Sequence, residues 1–477
     1  MSDNTDPGYG PWPQPAPTFF EDAAPAVLHV PEDVQKDWNK HVGWRYTRQV
    51  LFDTLPTWIW AQFNPGVVEV SDTRFCQILC DGIFSKFLTE KKRFDAPDIA
   101  LFRDYLDTAP DHVWFKSDFR PMRHVKSEKD SATAPSVVLF KSVGTYAYEV
   151  VAIAVDDKVF DPSHGGAWTL AKYFALQGAG VITTLLMHPK LHFPSNSVDA
   201  ITRTRLPPGG TLAKLLRPHF RLALAVNHAV LYGEQTVLKP GRLYAPYPGT
   251  LEEHARVVAT LWRGLPFNDD PKTPNQAYPK YRLERKPPEI HSAYGDFLGH
   301  YHRTLLGFIR EVATDIVSAK TNPVSRWADH CAQWLPGFPD SSEVYRGDAL
   351  AEALTSIVLD VAVAHSADHY IYGQVNEREV PFRLHSKLPD HANQEEPDLK
   401  TLVNSGDNFN YRMCTKMFFK PYVIERLADV DYGFKNKRLR EANKKFRRDL
   451  VALQDTLVDE GIPRYVPLHE IATSVQF

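Results

Sequence analysis

Two pairs of histidines, each with a spacing of four residues, constrain this chain of 477 residues more than any other feature. His365 and His369 follow a mostly apolar run at residues 357–364 that is typical of a core helix. His188 and His192 form the second pair. Residues four apart lie on one face of a helix, so the two imidazoles of a pair can reach the same ion. Two such pairs on separate helices favour a metal site in the core of a helical protein.

A simpler interpretation of the histidines stays open at this point. The chain has 19 histidines, so some of them will be four residues apart by chance. A single histidine on a helix is more often a hydrogen-bonded structural residue than a ligand. The apolar surroundings favour the metal hypothesis because a buried imidazole needs a partner. Spacing alone does not select the ion, since a nitrogen-rich site suits iron, manganese, nickel or zinc.

Composition narrows the class of protein. The hydrophobic fraction of 43% and the charged fraction of 24% are those of a globular protein, and a net charge of -3 predicts no nucleic-acid partner. Four cysteines without a zinc-type spacing indicate reduced thiols and a cytoplasmic protein. The amino terminus has no signal-peptide pattern, and no uninterrupted apolar run reaches 18 residues, so we expect no transmembrane segment. We expect a monomer or a weak dimer.

The sequence predicts one large helical domain that follows an amino-terminal tail. Residues 1–31 are rich in Pro, Gly, Asp and Ala and predict an extended tail, whereas residues 32–477 predict a single, mainly α domain. Runs of β-branched residues predict a small antiparallel sheet within about residues 113–160. The later segments with helical periodicity are residues 295–320, 345–375, 418–430 and 434–461.

Two local predictions concern the helices. Pro189 directly follows His188 and predicts that the helix kinks or restarts there, because proline lacks an amide proton. Trp58, Trp60 and Phe63 lie in a segment with helical periodicity, and we interpret them as core residues.

Several short segments of the chain resemble one known family. They are VVLFKSVGTYAYEVVAIAV, WTLAKYF, LPPGGTLAKLLRPHFRLALAVN and the carboxyl-terminal YVPLHEIATSVQF. These segments are similar to motifs of the catalytic domain of lipoxygenases, the non-haem iron dioxygenases of polyunsaturated fatty acids. The resemblance covers about half of residues 113–477 and does not include the amino-terminal β-sandwich that many members carry. It implies a large helical catalytic domain, one iron ion per chain and dioxygen as a reactant.

The resemblance also implies a ligand set. Counted from the similar positions Trp168 and His219, two histidines occupy the places of the family's first two ligands, with the spacing shortened by one residue. The family's glutamate after the second ligand is replaced by Asn196, and Tyr372-Gly373-Gln374 is displaced by two residues from the family's aromatic-Gly-Gln sequence. The implied iron ligands are His188, His192, His365, His369 and the main-chain carboxylate of Phe477, and the same five are the implied catalytic residues.

An apolar substrate tunnel and a carboxylate-binding arginine complete the expected site. Each candidate also has a structural role as its alternative. The tunnel candidates are Trp168, Phe174, Leu185, Leu186, Leu224 and Val230. The candidate arginines are Arg203, Arg205 and Arg217.

Three functions remain open from the sequence. The first is an iron dioxygenase that converts an unsaturated lipid or a similar apolar molecule to a hydroperoxide. The second is a lipoxygenase-fold oxidase with another substrate or another outcome, such as hydroperoxide rearrangement or desaturation. The third is a metal-dependent binding protein without redox chemistry.

Overall fold

A computed structural model describes residues 30–125, 127–128, 130–232, 244, 247–248, 265–266, 276–278, 281–319, 321–392 and 395–476. Within these residues the protein is mainly helical with a small antiparallel sheet, as the sequence predicts. The described helices are α1 (Glu32–Trp38), α2 (Trp44–Phe63), α3 (Asp72–Cys80), α4 (Ala96–Leu101), α5 (Arg103–Thr108), α6 (Gly166–Ile182), α7 (His188–Arg205), α8 (Thr211–Leu216), α9 (Ala223–Tyr232), α10 (Ala293–Ala319), α11 (Asn322–Trp334), α12 (Ala349–Val358), α13 (His365–Tyr372), α14 (Ser405–Cys414) and α15 (Lys437–Asp459).

Two long helices are each built from two of these elements. A π-helical turn at Thr183–Met187 joins α6 to α7, and another at Leu359–Ala364 joins α12 to α13. The joined helices run through Gly166–Arg205 and Ala349–Tyr372, which are 40 and 24 residues long. The sequence predicts that the helix kinks or restarts at Pro189. The structure instead has a continuous helix there, with a widened turn that ends just before His188. A π turn relieves the clash between the proline ring and the carbonyl one turn earlier.

Both long helices lie in the core. By length and composition each could cross a membrane. Neither contains an uninterrupted apolar run of 18 residues. Of their most apolar windows, 89% and 83% are buried inside the protein. This is the burial of core helices, and neither is a clear transmembrane helix.

The sheet separates two parts of the hydrophobic core. Its strands pair antiparallel in chain order. Along β3 (Ser136–Gly144) and β4 (Ala147–Val155), Val138 and Ile153 belong to the main core, whereas their neighbours Leu139 and Ala152 belong to a smaller cluster on the other face. The strands are β1 (Leu88–Glu90), β2 (Trp114–Asp118), β3 (Ser136–Gly144), β4 (Ala147–Val155) and β5 (Lys158–Phe160), with a separate pair β6 (Leu265–Pro266) and β7 (Gln276–Tyr278).

Most predicted elements are present. Four of the five sheet strands fall within residues 113–160, and the three-residue β1 is added upstream. Helices α10, α12–α13 and α15 occupy three of the four predicted helical segments. The helix predicted at residues 418–430 is wrong: Lys420 is extended, and Arg426 forms an antiparallel bridge with Ala472. Pro421 disfavours a helix there, and the carboxyl-terminal segment supplies the backbone hydrogen bonds instead.

Candidate metal centre

Four histidine side chains converge between the two long helices. His188 and His192 come from α7, and His365 and His369 come from α13. The Nε2 atom of His192 lies 2.8 Å from that of His188 and 3.0 Å from that of His365. The Nε2 atoms of His369 and His188 are 3.1 Å apart. The four possible ligand atoms all lie within 4.8 Å of one another.

Each histidine pair begins directly after a π turn. Those at Thr183–Met187 and Leu359–Ala364 end one residue before His188 and His365. Ordinary helical spacing then keeps the second imidazole of each pair above the first. The ring centroids within the pairs are 4.5 Å and 4.4 Å apart. The two pairs therefore face each other across the contact between α7 and α13.

Hydrogen bonds fix the orientation of two of the rings. The Nδ1 atom of His192 lies 2.8 Å from the Oδ1 atom of Asn227, and the Nδ1 atom of His188 lies 3.4 Å from a carboxylate oxygen of Asp368. Both oxygens are acceptors, so each Nδ1 carries the proton and each Nε2 presents a lone pair. Two lone pairs that face each other at 2.8 Å repel unless a cation lies between them. This donor set fits a bound metal ion.

The distances fit the same interpretation. Imidazole donors about 2.1 Å from a shared ion and at right angles to each other would lie about 3.0 Å apart. The three close Nε2 pairs are at 2.8, 3.0 and 3.1 Å. The four histidines therefore have the spacing of neighbouring ligands of one ion.

Burial favours the neutral form of three of these imidazoles, which is the form that binds a metal ion. Exposed fractions are 6% for His192, 0% for His365 and 2% for His369. Burial, followed by the neighbouring imidazoles, lowers the pKa of each of these three rings well below its ordinary value. The side chain of His188 is more accessible, at 13%. His188 is therefore the most accessible of the four histidines.

A buried ionic network contacts the Nδ1 side of the His188 ring. The Oδ1 atom of Asp368 lies 2.5 Å from the ammonium nitrogen of Lys86, and the Tyr294 hydroxyl donates to the same carboxylate at 3.3 Å. Burial raises the pKa of Asp368, but Lys86 and His188 more than offset this and hold it below its usual value. An ionised carboxylate that accepts from a ligand histidine fixes the ring orientation and increases its basicity.

Replacing Asp368 by asparagine should weaken metal binding about 10–100-fold, as loss of such an outer partner typically does. The measurement is metal affinity by competition with a chelator. Because Lys86 would lose its counter-charge, the double variant K86M/D368N serves as the control for folding. It should show the same loss of affinity, and native affinity in both variants would contradict the role of Asp368.

A second acid, half-buried, lies close to this network. Asp360 is in the π turn before His365, and burial, followed by the charge of Asp368, raises its pKa to about 7 against the effects of Lys86 and Lys190. Burial also lowers the pKa of Lys190 to about 8. Two further ionisable groups thus lie beside the Asp368–Lys86 pair.

Stability should depend on pH through Asp360. The unfolded chain releases this proton near pH 4, whereas the folded protein holds it until about pH 7. The free energy of unfolding should therefore fall as the pH rises between these values. Asp360→Asn cannot ionise and should gain on the order of 1 kcal/mol or more over the native chain at pH 8 relative to pH 5. Thermal unfolding of both proteins at the two pH values measures this, and an equal difference at both would contradict it.

The carboxyl-terminal segment passes beside the histidine cluster. Thr473, Ser474, Val475 and Gln476 are each 0% exposed. The amide of Ala472 donates to the hydroxyl of Ser366, next to His365, at 3.0 Å. Phe477, predicted as the fifth ligand, lies outside the described residues. Its role stays a prediction, and the buried approach of the preceding residues agrees with it.

The predicted tunnel residues lie in the core, and their substrate role stays a prediction. Trp168 donates to Asp72 at 3.0 Å and lies in the first turn of α6, about 30 Å along the helix from His188. The side chain of Val230 lies outside the described residues. The remaining four, at 2% exposure or less, are Phe174, Leu185, Leu186 and Leu224.

None of the contacts described for the three predicted arginines is with the four clustered histidines. Arg203 pairs with Asp199 at 2.8 Å, and Arg205 donates to His330 at 3.2 Å. Arg217 lines a surface cleft of about 610 Å³, together with Arg203. A carboxylate-binding role for any of them stays a prediction.

The functional residues that sequence reasoning missed are polar partners of the histidines. Asn227 and Asp368 contact the imidazoles directly, and Lys86 contacts Asp368. Asp368 carries one usable signal, an acid beside His369 in a mostly apolar helix. Lys86 is 282 residues away from Asp368 in the chain and gives no such signal.

Solved lipoxygenase structures share this fold. A coral 8R-lipoxygenase matches with a TM-score of 0.71 and 14% identity over 97% of this chain and 77% of that chain. A manganese lipoxygenase gives 0.68 and 15% over 93% and 91%. An anaerobic lipoxygenase complex with arachidonate gives 0.70 and 16% over 97% and 77%. No protein-family model and no curated protein matches the chain.

These similarities establish the fold. The chain has the fold of a lipoxygenase catalytic domain, as the sequence resemblance implies. At 14–16% identity the similarity extends to architecture and not to a particular reaction.

Proposed function

We propose that this protein is a non-haem metal dioxygenase that converts an unsaturated lipid, or a similar apolar molecule, to a hydroperoxide. The observation that carries the proposal is the convergence of four imidazoles from two core helices of a lipoxygenase fold. His188, His192, His365 and His369 would hold one ion, with the Phe477 carboxylate as the proposed fifth ligand. Iron is the proposed metal, and manganese, named for one similar structure, is the alternative.

A bound iron or manganese ion would supply a one-electron couple, which suits removal of a hydrogen atom from a weak C–H bond. The overall reaction, RH + O₂ → ROOH, balances without a further reductant. The residues of this chain position and insulate the centre. Asn227 and Asp368 fix two imidazoles, and burial of the other two excludes water. In this proposal the substrate approaches from the more accessible His188 side, and the surrounding residues align it for oxygen addition.

Oxygen consumption tests this proposal. Iron-loaded protein should take up dioxygen with a polyunsaturated fatty acid and form an equimolar amount of hydroperoxide, measured by the absorbance of the conjugated diene. The fully saturated acid of equal length serves as the control and should give no uptake. If iron-loaded protein takes up no dioxygen with any polyunsaturated fatty acid, the hypothesis of a fatty-acid substrate is contradicted.

The ionic network favours a second candidate, a lipoxygenase-fold oxidase with a different substrate or outcome. Lys86, Asp360, Asp368 and Lys190 are a charged environment for a bare hydrocarbon chain. Charged groups beside the centre suit a substrate with a polar group close to its reactive carbon, or a hydroperoxide. Consumption of a fatty-acid hydroperoxide without oxygen uptake would favour this candidate over the dioxygenase.

A further inference from the structure

Helix α2 presents seven large apolar side chains to the outside of the protein. Their spacing places them on one side of the helix, which we call the α2 apolar face. The prediction that Trp58 and Phe63 are core residues is therefore wrong. The face consists of Trp44 (62% exposed), Leu51 (67%), Phe52 (69%), Leu55 (64%), Trp58 (51%), Ile59 (45%) and Phe63 (82%).

The opposite side of α2 faces the protein, where apolar packing of Val50 accompanies three polar contacts. Gln49 donates to the carbonyl of Lys416 at 2.8 Å, and the ammonium of Lys416 lies 3.0 Å from Asp53. The same ammonium lies 3.1 Å from the hydroxyl of Thr57. A surface helix ordinarily has the opposite arrangement, with its apolar stripe turned inward. These contacts fasten α2 to the body, and within the part of the chain that the structure describes its apolar face stays exposed.

Among the described residues, the exposed charges on α2 and next to its amino-terminal end are positive. Asp53 is the one acidic residue of α2, and it points inward to Lys416. Arg48 is exposed on α2 itself, and Lys40 and Lys420 are exposed near its amino-terminal end. Tyr422, 38% exposed, adds an aromatic ring there, 5.1 Å from the guanidinium of Arg45.

These features point to a lipid surface. Tryptophan and phenylalanine beside lysine and arginine are the side chains of helices that lie in the membrane interface. Arg48, four residues from both Trp44 and Phe52, lies within the α2 apolar face, where a second copy of α2 offers no acid to pair with it but an anionic headgroup would. We infer that the α2 apolar face docks on an anionic phospholipid membrane, with α2 parallel to the surface over its length of about 30 Å.

The net charge of -3 does not oppose this docking. Charges farther than about 10 Å from the surface are screened at physiological salt, so the local basic residues dominate. Added salt should weaken the electrostatic part of the binding. The docking does not depend on metal chemistry, so it stands or fails separately from the proposed function.

Cosedimentation with vesicles tests the docking. The full-length protein should sediment with vesicles of phosphatidylcholine and phosphatidylserine, and less with phosphatidylcholine alone. The variant F52Q/L55Q should lose binding by at least about tenfold, because two large apolar side chains no longer enter the interface. V451Q/V458Q is the matched control, since Val451 (58%) and Val458 (56%) are equally exposed on α15 and should be silent. Metal-free His365→Ala should bind as the native protein does.

Light scattering in the absence of lipid distinguishes a second copy from a membrane. Native protein and F52Q/L55Q should both be monomers at the concentrations used for sedimentation. Absence of vesicle binding would overturn the inference, as would equal binding by native protein and F52Q/L55Q. A native dimer that F52Q/L55Q converts to monomers would also overturn it, because the α2 apolar face would then be a contact between copies.

Discussion

Replacing His365 with alanine should remove the metal ion and the proposed activity from a protein that still folds. His365 is 0% exposed, and its Nε2 atom lies 3.0 Å from that of His192, so the substitution deletes a donor from the centre of the cluster. Metal affinity should fall by more than about a hundredfold, since loss of even an outer partner costs 10–100-fold. Metal analysis and oxygen uptake measure the loss, and circular dichroism checks the fold. His192→Ala should behave in the same way.

The matched control is a histidine outside the cluster. His164 lies on the turn at Pro162–His164, where its ring contacts Asp161 and stacks near His391. His164→Ala should keep the native metal content and turnover. His228→Ala should also keep them. Equal losses in the cluster and control variants would mean that the ligand assignment is wrong.

Extending the carboxyl terminus should have a comparably large effect. A Gly-Ser extension after Phe477 would move the proposed carboxylate ligand and push added backbone toward a segment that is already fully buried at Gln476. The side-chain carbonyl of Gln476 accepts from the amides of Ile424 and Glu425 at 2.7 and 3.2 Å, which leaves little freedom to absorb the extension. We expect metal content to fall at least about tenfold, the lower range for a lost coordination partner.

An amino-terminal extension of equal length is the control for this experiment. The sequence predicts that residues 1–31 form a tail, so added residues there should leave the metal content unchanged. A carboxyl-extended protein with full metal content and full turnover would remove Phe477 from the ligand set. It would leave the four-histidine assignment untouched, because that assignment rests on separate side chains.

The sequence predicted the histidine cluster because its signal is local. Each pair lies within one helical turn, and an apolar run at residues 357–364 indicates burial. The pairing of the two helices is not local, so the hypothesis that His188 and His192 share an ion with His365 and His369 rested on two matching pairs and on the family resemblance. The structure brings all four within 4.8 Å.

What the sequence could not predict depends on tertiary contacts. Lys86 reaches Asp368 across the fold, and no periodicity in either segment indicates their pairing. The apolar residues of α2 have the spacing of a core-facing stripe, which predicted burial. They face outward because Asp53 and Thr57, on the opposite side, bind Lys416. The same pattern thus fits a core helix or an interfacial one, and the polar contacts decide between them.

Metal content tests the central claim most directly. Protein purified after growth with added iron should contain about one iron, or one manganese, per chain, since the histidine cluster offers one set of four nitrogen donors. Inductively coupled plasma mass spectrometry on the native protein and on His365→Ala gives the metal identity and its dependence on the cluster. The account predicts about one equivalent in the native protein and almost none in the variant. Zinc alone, or less than about a tenth of an equivalent of any metal in the native protein, would contradict it.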